Sequence, residues 1–158
     1  MTLVVKNTVD TNFLNTLATL TGSQTLSNKT IKSTKETVVS AGAAPASTTN
    51  FDVVTQPIVV YNTAITNFTL NVRGDASTTL NSLLAVGESI TVSLFVPNGN
   101  TAYYPTAYQI DGTSITPKYQ GGTIFNSGNA NCTDVYVMFI IKLADNSWSA
   151  YISQTKFA

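Results

Sequence analysis

The stretch "DVYVMFIIKL", residues 134–143, decides the fold, because apolar side chains occupy both of the faces that a strand would present. Strands buried on one side alternate apolar and polar residues, whereas strands buried on both sides read as nearly continuous apolar runs. The turn residues "ADN" follow, and then "SWSAYIS" places Trp148, Ala150 and Ile152 on one face. We therefore place residues 134–143 at the centre of a packed sheet or beneath a subunit contact.

Alternation of apolar and polar residues predicts further strands upstream of this run. It is clearest in "FTLNVRG", residues 68–74, and in "SITVSLFVP", residues 89–97. Asp111 and Gly112 lie between apolar positions and predict a tight hairpin turn. Roughly seven or eight short strands with turn residues between them predict an all-β protein, an antiparallel β-sandwich of jelly-roll type.

One short helix is predicted in "DASTTLNSLLAVG", which begins with Asp75 as N-cap and ends just before Gly87. Residues 51–158, which carry the strand patterns and this helix, are expected to form the sandwich domain.

Residues 1–50 are rich in small polar residues and are predicted to be an extended N-terminal arm and linker. Their composition leaves two alternatives, a disordered leader and an arm that becomes ordered on a partner. Isolated apolar side chains favour the second, because they resemble pegs that anchor the arm to another surface. The predicted pegs are Val5, Phe13, Leu17, Leu20 and Ile31.

The charge balance argues against nucleic acid and membranes as partners. Formal net charge is zero and 10% of residues are charged, so the chain lacks the field that would attract it to a polyanion. We find no apolar run near the ~20 residues of a membrane helix. The N-terminal residues also lack the basic and then apolar order of a secretory signal.

The residue types that usually carry catalysis are scarce. The chain has no histidine and one cysteine, which removes the commonest general base and excludes multi-cysteine metal sites. Several acids lie where caps or turns account for them. We therefore expect no enzyme activity and no cofactor or metal.

The Gly- and Asn-rich stretch "KYQGGTIFNSGNANCTDVY", residues 118–136, raises the question of a ligand loop. Its glycine spacing does not match a phosphate-binding loop, and its single carboxylate, Asp134, is too few for a calcium loop. Cys132 lies beside that acid, where a thiolate would be disfavoured. We expect a turn-rich connection with an inert cysteine.

Four tyrosines cluster in sequence near amide side chains and are the candidate contact residues. Flat aromatic rings beside amides suit saccharide binding, because sugars present apolar faces and hydroxyl edges. The alternative, which we favour, is that the same tyrosines pack a flank of the sandwich or a subunit contact. The candidate glycan or partner contacts are Tyr103, Tyr104, Tyr108 and Tyr119.

Several phrases in the last ~85 residues together resemble a module of bacteriophage structural proteins. They are "STTLNSLLAVGESITV", "AYYPTAYQIDG", "ITPKYQGG", "SGNAN" before "DVY", and the terminal "SQTKFA". In this combination the chain resembles the C-terminal β-sandwich module of tail-fibre and other virion proteins, particularly of phages that infect cyanobacteria.

The resemblance implies a non-enzymatic virion protein, assembled in the host cytoplasm and released by lysis. It would be a small surface appendage, such as a short tail fibre or knob, anchored by its arm with the sandwich projecting. One alternative is a capsid decoration or cement protein bound to the major capsid protein, and another is a module that binds host surface polysaccharide. The implied partners are capsid or tail proteins and two further copies in a homotrimer.

Overall fold

Strands in two sheets dominate the described chain, residues 35–40 and 43–158 of a computed structural model. The strands in chain order are β1 (Val38–Ser40), β2 (Thr48–Asp52), β3 (Ile58–Val60), β4 (Phe68–Arg73), β5 (Ser89–Pro97), β6 (Pro105–Ile110), β7 (Thr113–Ile115), β8 (Lys118–Tyr119), β9 (Thr133–Ala144) and β10 (Ser147–Phe157). A short helix, α1 (Leu80–Leu83), precedes β5, and a 3-10 turn (Gln120–Gly122) follows β8.

The two sheets pack around one apolar core, as the all-β sandwich prediction requires. In the described residues the larger sheet has six strands in the order β1-β3-β5-β9-β10-β8, and the smaller has four in the order β2-β4-β6-β7. Both contribute fully buried side chains to one cluster, including Phe51, Leu70, Leu94, Tyr136 and Ile140. The predicted all-β sandwich is confirmed.

Strand direction departs from the antiparallel prediction. Five neighbouring pairs are parallel: β1/β3, β3/β5, β2/β4, β4/β6 and β8/β10. From β1 to β6 the chain crosses to the other sheet after every strand, so the next strand in a given sheet runs the same way as the one before it. The prediction was wrong here because side-chain alternation reports which face is buried and is the same for both directions.

The antiparallel pairs are those joined by short turns, and β5 with β9. Asp111 and Gly112 both have positive φ, which is the type I′ geometry predicted for the β6–β7 hairpin. Strand β9 lies between β5 and β10, with Met138 opposite Val92 and Ile152. The central position predicted for residues 134–143 is therefore confirmed.

Helix α1 is shorter than predicted and has a different cap. Thr79, not Asp75, is the N-cap, since its Oγ1 accepts a hydrogen bond from Ser82 N at 3.0 Å. Asp75 instead accepts hydrogen bonds from the backbone of Ser77 and Thr78 and shapes the loop before the helix. The first free N–H groups of α1 donate to Asp111, whose oxygens lie 2.7 Å from Leu80 N and 2.9 Å from Asn81 N. Because Asp111 belongs to a hairpin far along the chain, the residues around α1 give no indication of this cap.

The predicted boundary between residues 50 and 51 falls inside a strand. Strand β2 runs from Thr48 to Asp52 and pairs with β4, and β1 pairs with β3, so residues predicted as linker belong to both sheets. The compact unit begins at Lys35. These strands were not predicted from the sequence. Edge strands bury few side chains, so polar residues at the remaining positions hide the alternating pattern.

The predicted anchoring pegs Val5, Phe13, Leu17, Leu20 and Ile31 lie outside the described residues. Within the described ranges, no helix has the length and apolar character needed to cross a membrane.

Adjacent valines after β2 give a matched test of the side-chain burial in this part of the core. Val53 is 7% exposed and belongs to the core, whereas Val54 is 52% exposed. We expect Val53→Ala to lower the free energy of unfolding by about 2 kcal/mol, because two buried methyl groups are removed. Val54→Ala should change it by less than about 0.5 kcal/mol. Urea unfolding of both variants measures the difference in the free energy of unfolding. Equal effects would show that Val53 is not part of the core.

Candidate functional site

The Gly- and Asn-rich stretch 118–136 closes one end of the sandwich with aromatic side chains. Tyr119 and Phe125 from this stretch meet edge to face, with ring centroids 5.0 Å apart. Tyr119 also packs on Tyr108 of β6 at 6.2 Å, and Phe125 on Tyr136 of β9 at 6.0 Å. This row of rings bridges the two sheets, so the stretch is a packed connection and contributes to the core.

Asp134 fixes the conformation of the same stretch. Its side chain is fully buried at the start of β9 and accepts hydrogen bonds from Asn98 Nδ2 (3.0 Å), Asn129 N (2.8 Å) and Asn129 Nδ2 (2.6 Å). Asn98 in turn accepts a hydrogen bond from Tyr103 N at 3.0 Å. One carboxylate thus ties together the end of β5, the loop before β6 and the loop before β9.

Gly128 is required where this network is tightest. A Cβ at that position would overlap Tyr103 O and lie 3.1 Å from Asp134 Oδ2. The neighbouring Cys132 is half-buried and unpaired, and its carbonyl accepts a hydrogen bond from Asn98 N at 2.8 Å. The loop therefore uses its glycine for close packing, and its cysteine residue contributes through the backbone.

The four candidate tyrosines are not equivalent in the structure. Tyr108 is 4% exposed, with its hydroxyl donating to Pro105 O at 3.3 Å, so it offers almost no ring surface to a ligand. Tyr119 packs on Tyr108, while Tyr103 and Tyr104 are half-buried against the core from the preceding loop. Glycan contact stays a prediction for Tyr103, Tyr104 and Tyr119, and burial counts against it for Tyr108.

The tyrosines also differ in their ionisation. Burial raises the pKa of Tyr61 to about 12, with a smaller contribution from Asp52, and burial likewise raises the pKa of Tyr108, Tyr136 and Tyr119. Tyr151, on the exposed side of β10, has a lowered pKa because Ser149 donates a hydrogen bond to its hydroxyl and Lys118 lies close by. The direction of the pKa shift therefore separates the tyrosines packed in the interior of the sandwich from Tyr151 on the exposed side of β10.

The side of the six-stranded sheet that faces away from the smaller sheet, here called the outer face, carries many apolar side chains, which are concentrated on β9. In β9 the inward Tyr136, Met138 and Ile140 alternate with outward side chains that are also apolar. The apolar members of the outer face are Val38, Ile58, Val60, Phe95, Val135, Val137, Phe139, Ile141, Leu143, Tyr151 and Phe157.

The register of the strands places short hydroxyl side chains beside these apolar groups. Phe139 lies opposite Thr91 on β5 and Tyr151 on β10, and the rings of Phe139 and Tyr151 are 6.5 Å apart. Both rings are 40% exposed. Lys118, with its ammonium 5.3 Å from the Tyr151 ring centroid, is the only charged residue among the outward strand positions. A shallow groove of about 310 Å³ runs between these side chains.

Only half of the outer face was foreseen from sequence. The continuous apolar run of β9 predicted a second buried side, and Phe139 and Leu143 belong to it. Tyr151 and Phe157 were missed, because "SWSAYIS" shows the inward Trp148, Ala150 and Ile152 more clearly than the single outward tyrosine. Both residues lie opposite β9 because of the β9–β10 register. In the sequence, that register is indicated only by the turn between the two strands.

Six carboxylates of the folded unit, those of Asp52, Asp75, Glu88, Asp111, Asp134 and Asp145, have structural partners. Asp52 pairs with Arg73 at 2.6 Å, and Glu88 accepts a hydrogen bond from Ala85 N at 2.8 Å. Lys142 is buried at the C-terminal end of α1, where it donates to Asn81 O (2.6 Å) and Leu84 O (3.0 Å) and pairs with Asp145. In the described ranges no cluster of three or more His, Cys, Asp or Glu side chains could hold a metal ion.

Neither a protein-family model nor a curated protein nor a solved structure gives a significant match to this chain.

Two glycines provide a matched test of the loop network. Gly128→Ala should lower the free energy of unfolding by about 1–3 kcal/mol, because the new methyl group must displace the Tyr103 backbone or Asp134. Gly99→Ala is the control, since its Cβ would meet nothing closer than Thr63 Cγ2 at 3.6 Å. Urea unfolding curves measure both. A tolerated Gly128→Ala would contradict the close packing of the loop on β9.

The buried tyrosines predict a loss of stability in alkali. Tyrosines of the unfolded chain lose protons near pH 10, whereas Tyr61 keeps its proton until about pH 12. The folded state therefore binds more protons over this interval, and the free energy of unfolding falls as the pH rises through it. Tyr61→Phe should flatten this fall in unfolding titrations. Tyr151→Phe, which removes a tyrosine of lowered pKa, should not, and flattening by both variants would contradict the assignment.

Proposed function

We propose that this chain is a non-enzymatic structural protein of a bacteriophage virion that works through protein contacts. The observation that carries the proposal is the outer face of the six-stranded sheet, where apolar side chains stand among Ser and Thr and where Lys118 is the only charge at the described strand positions. Solvent-exposed apolar patches of this kind mark sites of protein association. In the virion this face would be covered, and the sandwich would project as a short tail fibre or knob.

Two hydrogen-bonded carboxylates, Asp134 and Asp111, support a structural role for the rest of the domain. Asp134 holds three segments together, and Asp111 joins the β6–β7 hairpin to α1. Groups used in this way stabilise one geometry, because removing either would leave buried or partly buried donors without partners. Both side chains therefore have a positional role, and the domain would act as a unit on which surfaces are displayed.

The virion assignment draws on the sequence resemblance to phage tail-fibre modules. The neutral, weakly charged composition agrees with it, since a low net charge favours association over dispersal. Residues 1–34 would anchor the domain to the capsid or tail, and the resemblance also implies a homotrimer. A capsid decoration protein would make the same kind of contacts, and its location on the particle separates it from an appendage.

The proposal is tested on purified particles of the phage that encodes the chain. We expect antibodies against the full chain to detect it in banded particles by immunoblot and to place it by immunogold electron microscopy. Gold at the tail would identify a short fibre, and gold spread over the capsid would identify a decoration protein. If the chain stays in the particle-free lysate, the virion assignment is wrong.

A further inference from the structure

We propose that the outer face is the surface through which copies of this chain associate with one another, with Phe139 and Tyr151 at its centre. The inference rests on the proposed assembly role and names the partner of this face as a second copy of the same chain. It is drawn from the composition of β9, from the charge of the face and from its size.

The composition of β9 indicates that a third layer packs on the outer face of the six-stranded sheet. Its inward side chains fill the core, and its outward Val137, Phe139, Ile141 and Leu143 are as apolar as those inside. A strand with this composition is typical of sheets that are covered on both faces. In the described residues, the four-stranded sheet covers one face of the six-stranded sheet, whereas Phe139, Leu143 and Tyr151 on the other face are 40–56% exposed.

The charge of the face favours a copy of itself over a charged partner. A partner chosen by electrostatic complementarity would need several charges to meet, and Lys118 is the only one at the outward strand positions. Lys118 lies on β8, at the edge of the sheet, and already packs over its own Tyr151. Two such faces can therefore meet without bringing like charges together at the centre.

The side chains beside the aromatic rings suit the close approach of a second sheet. Thr91, Ser93 and Ser153 flank Phe139 and Val137 in register, and their short side chains leave the rings as the highest points of the face. Packed sheets lie about 10 Å apart with interdigitated side chains. Phe139 and Tyr151 of one copy can then enter the depressions above the hydroxyl residues of the other.

The size of the face is sufficient for a stable contact. Its six strands contain 40 residues. At about 3.3 Å per residue and about 4.8 Å between strands, they cover a projected area of about 630 Å². A standard protein interface buries about 800 Å² on each partner, and the relief of the side chains adds to the projected area.

Cysteine accessibility tests the inference on the full chain. Thr91→Cys and Thr113→Cys, each in a Cys132→Ser background, place one thiol at an exposed strand position on the outer face and on β7 of the smaller sheet. We expect a maleimide to label Thr91→Cys at least about tenfold more slowly at high than at low protein concentration, because association buries it by mass action. Thr113→Cys should be labelled at the same rate throughout.

Sedimentation of the same samples identifies what covers the face. Protection of Thr91→Cys in a dimer or trimer supports the inference, whether it is lost on dilution or persists in an assembly that stays associated. Protection in a monomer would show that residues 1–34 of the same chain cover the face, and would overturn the inference. Labelling of Thr91→Cys that is fast at every concentration would overturn it too.

A substitution at the centre of the face gives a second, independent measurement. Phe139→Thr should raise the dissociation constant of the assembly at least about tenfold, because exposed aromatic residues at an interface centre carry much of its affinity. Ile65→Thr is the matched control, since Ile65 is 71% exposed and lies outside the strands. Unfolding curves verify that both variants fold, and an unchanged dissociation constant in folded Phe139→Thr would overturn the inference.

These outcomes are separable from those of the proposed function. A chain that associates through the outer face and is missing from particles would refute the virion assignment alone. A chain that is present in particles but shows a freely labelled Thr91→Cys in solution would refute self-association alone.

Discussion

Strand β9 is the constraint on which the rest of this structure depends. Its backbone pairs with β5 on one side and β10 on the other, so it fixes the register of the three longest strands. Its inward side chains complete the core, and its outward side chains form the middle of the outer face. A shift of its register by one residue would exchange these two sets, which would place Asp134 and Lys142 outside.

The two ends of β9 show how buried polar groups enforce that register. At its start, Asp134 receives hydrogen bonds from Asn98 and Asn129, and near its end Lys142 donates to the last carbonyls of α1. Each is buried, so each would lose its partners if the strand slipped, at a cost that apolar residues would not impose. Apolar packing thus makes β9 central, and its two buried charges select one register.

Sequence was sufficient for those features that depend on neighbouring residues. Alternation located β4, β5 and β10, and Asp111-Gly112 gave the hairpin, because face periodicity and positive φ are local properties. Strand direction and sheet membership are not local properties. Between β1 and β6 the paired strands lie about 20 to 38 residues apart in sequence, and no short-range pattern records that pairing. The same limit applies to the candidate site. The apolar run of β9 predicted an outer face, whereas the position of Tyr151 on that face depends on pairing between strands, which local sequence does not show.

The burial of Tyr108 changes which surface is best suited to a partner. Aromatic clusters in sequence suggested a contact at the loops, yet Tyr108, Tyr119, Phe125 and Tyr136 use their rings to close the sandwich. Because those rings pack in the core, the remaining exposed aromatic surface of the strands lies chiefly on the outer face. A domain whose end is sealed by a hydrogen-bonded loop and whose broad side is apolar is suited to lateral packing. The outer face of the larger sheet is therefore the surface on which the proposed association would bury most apolar area.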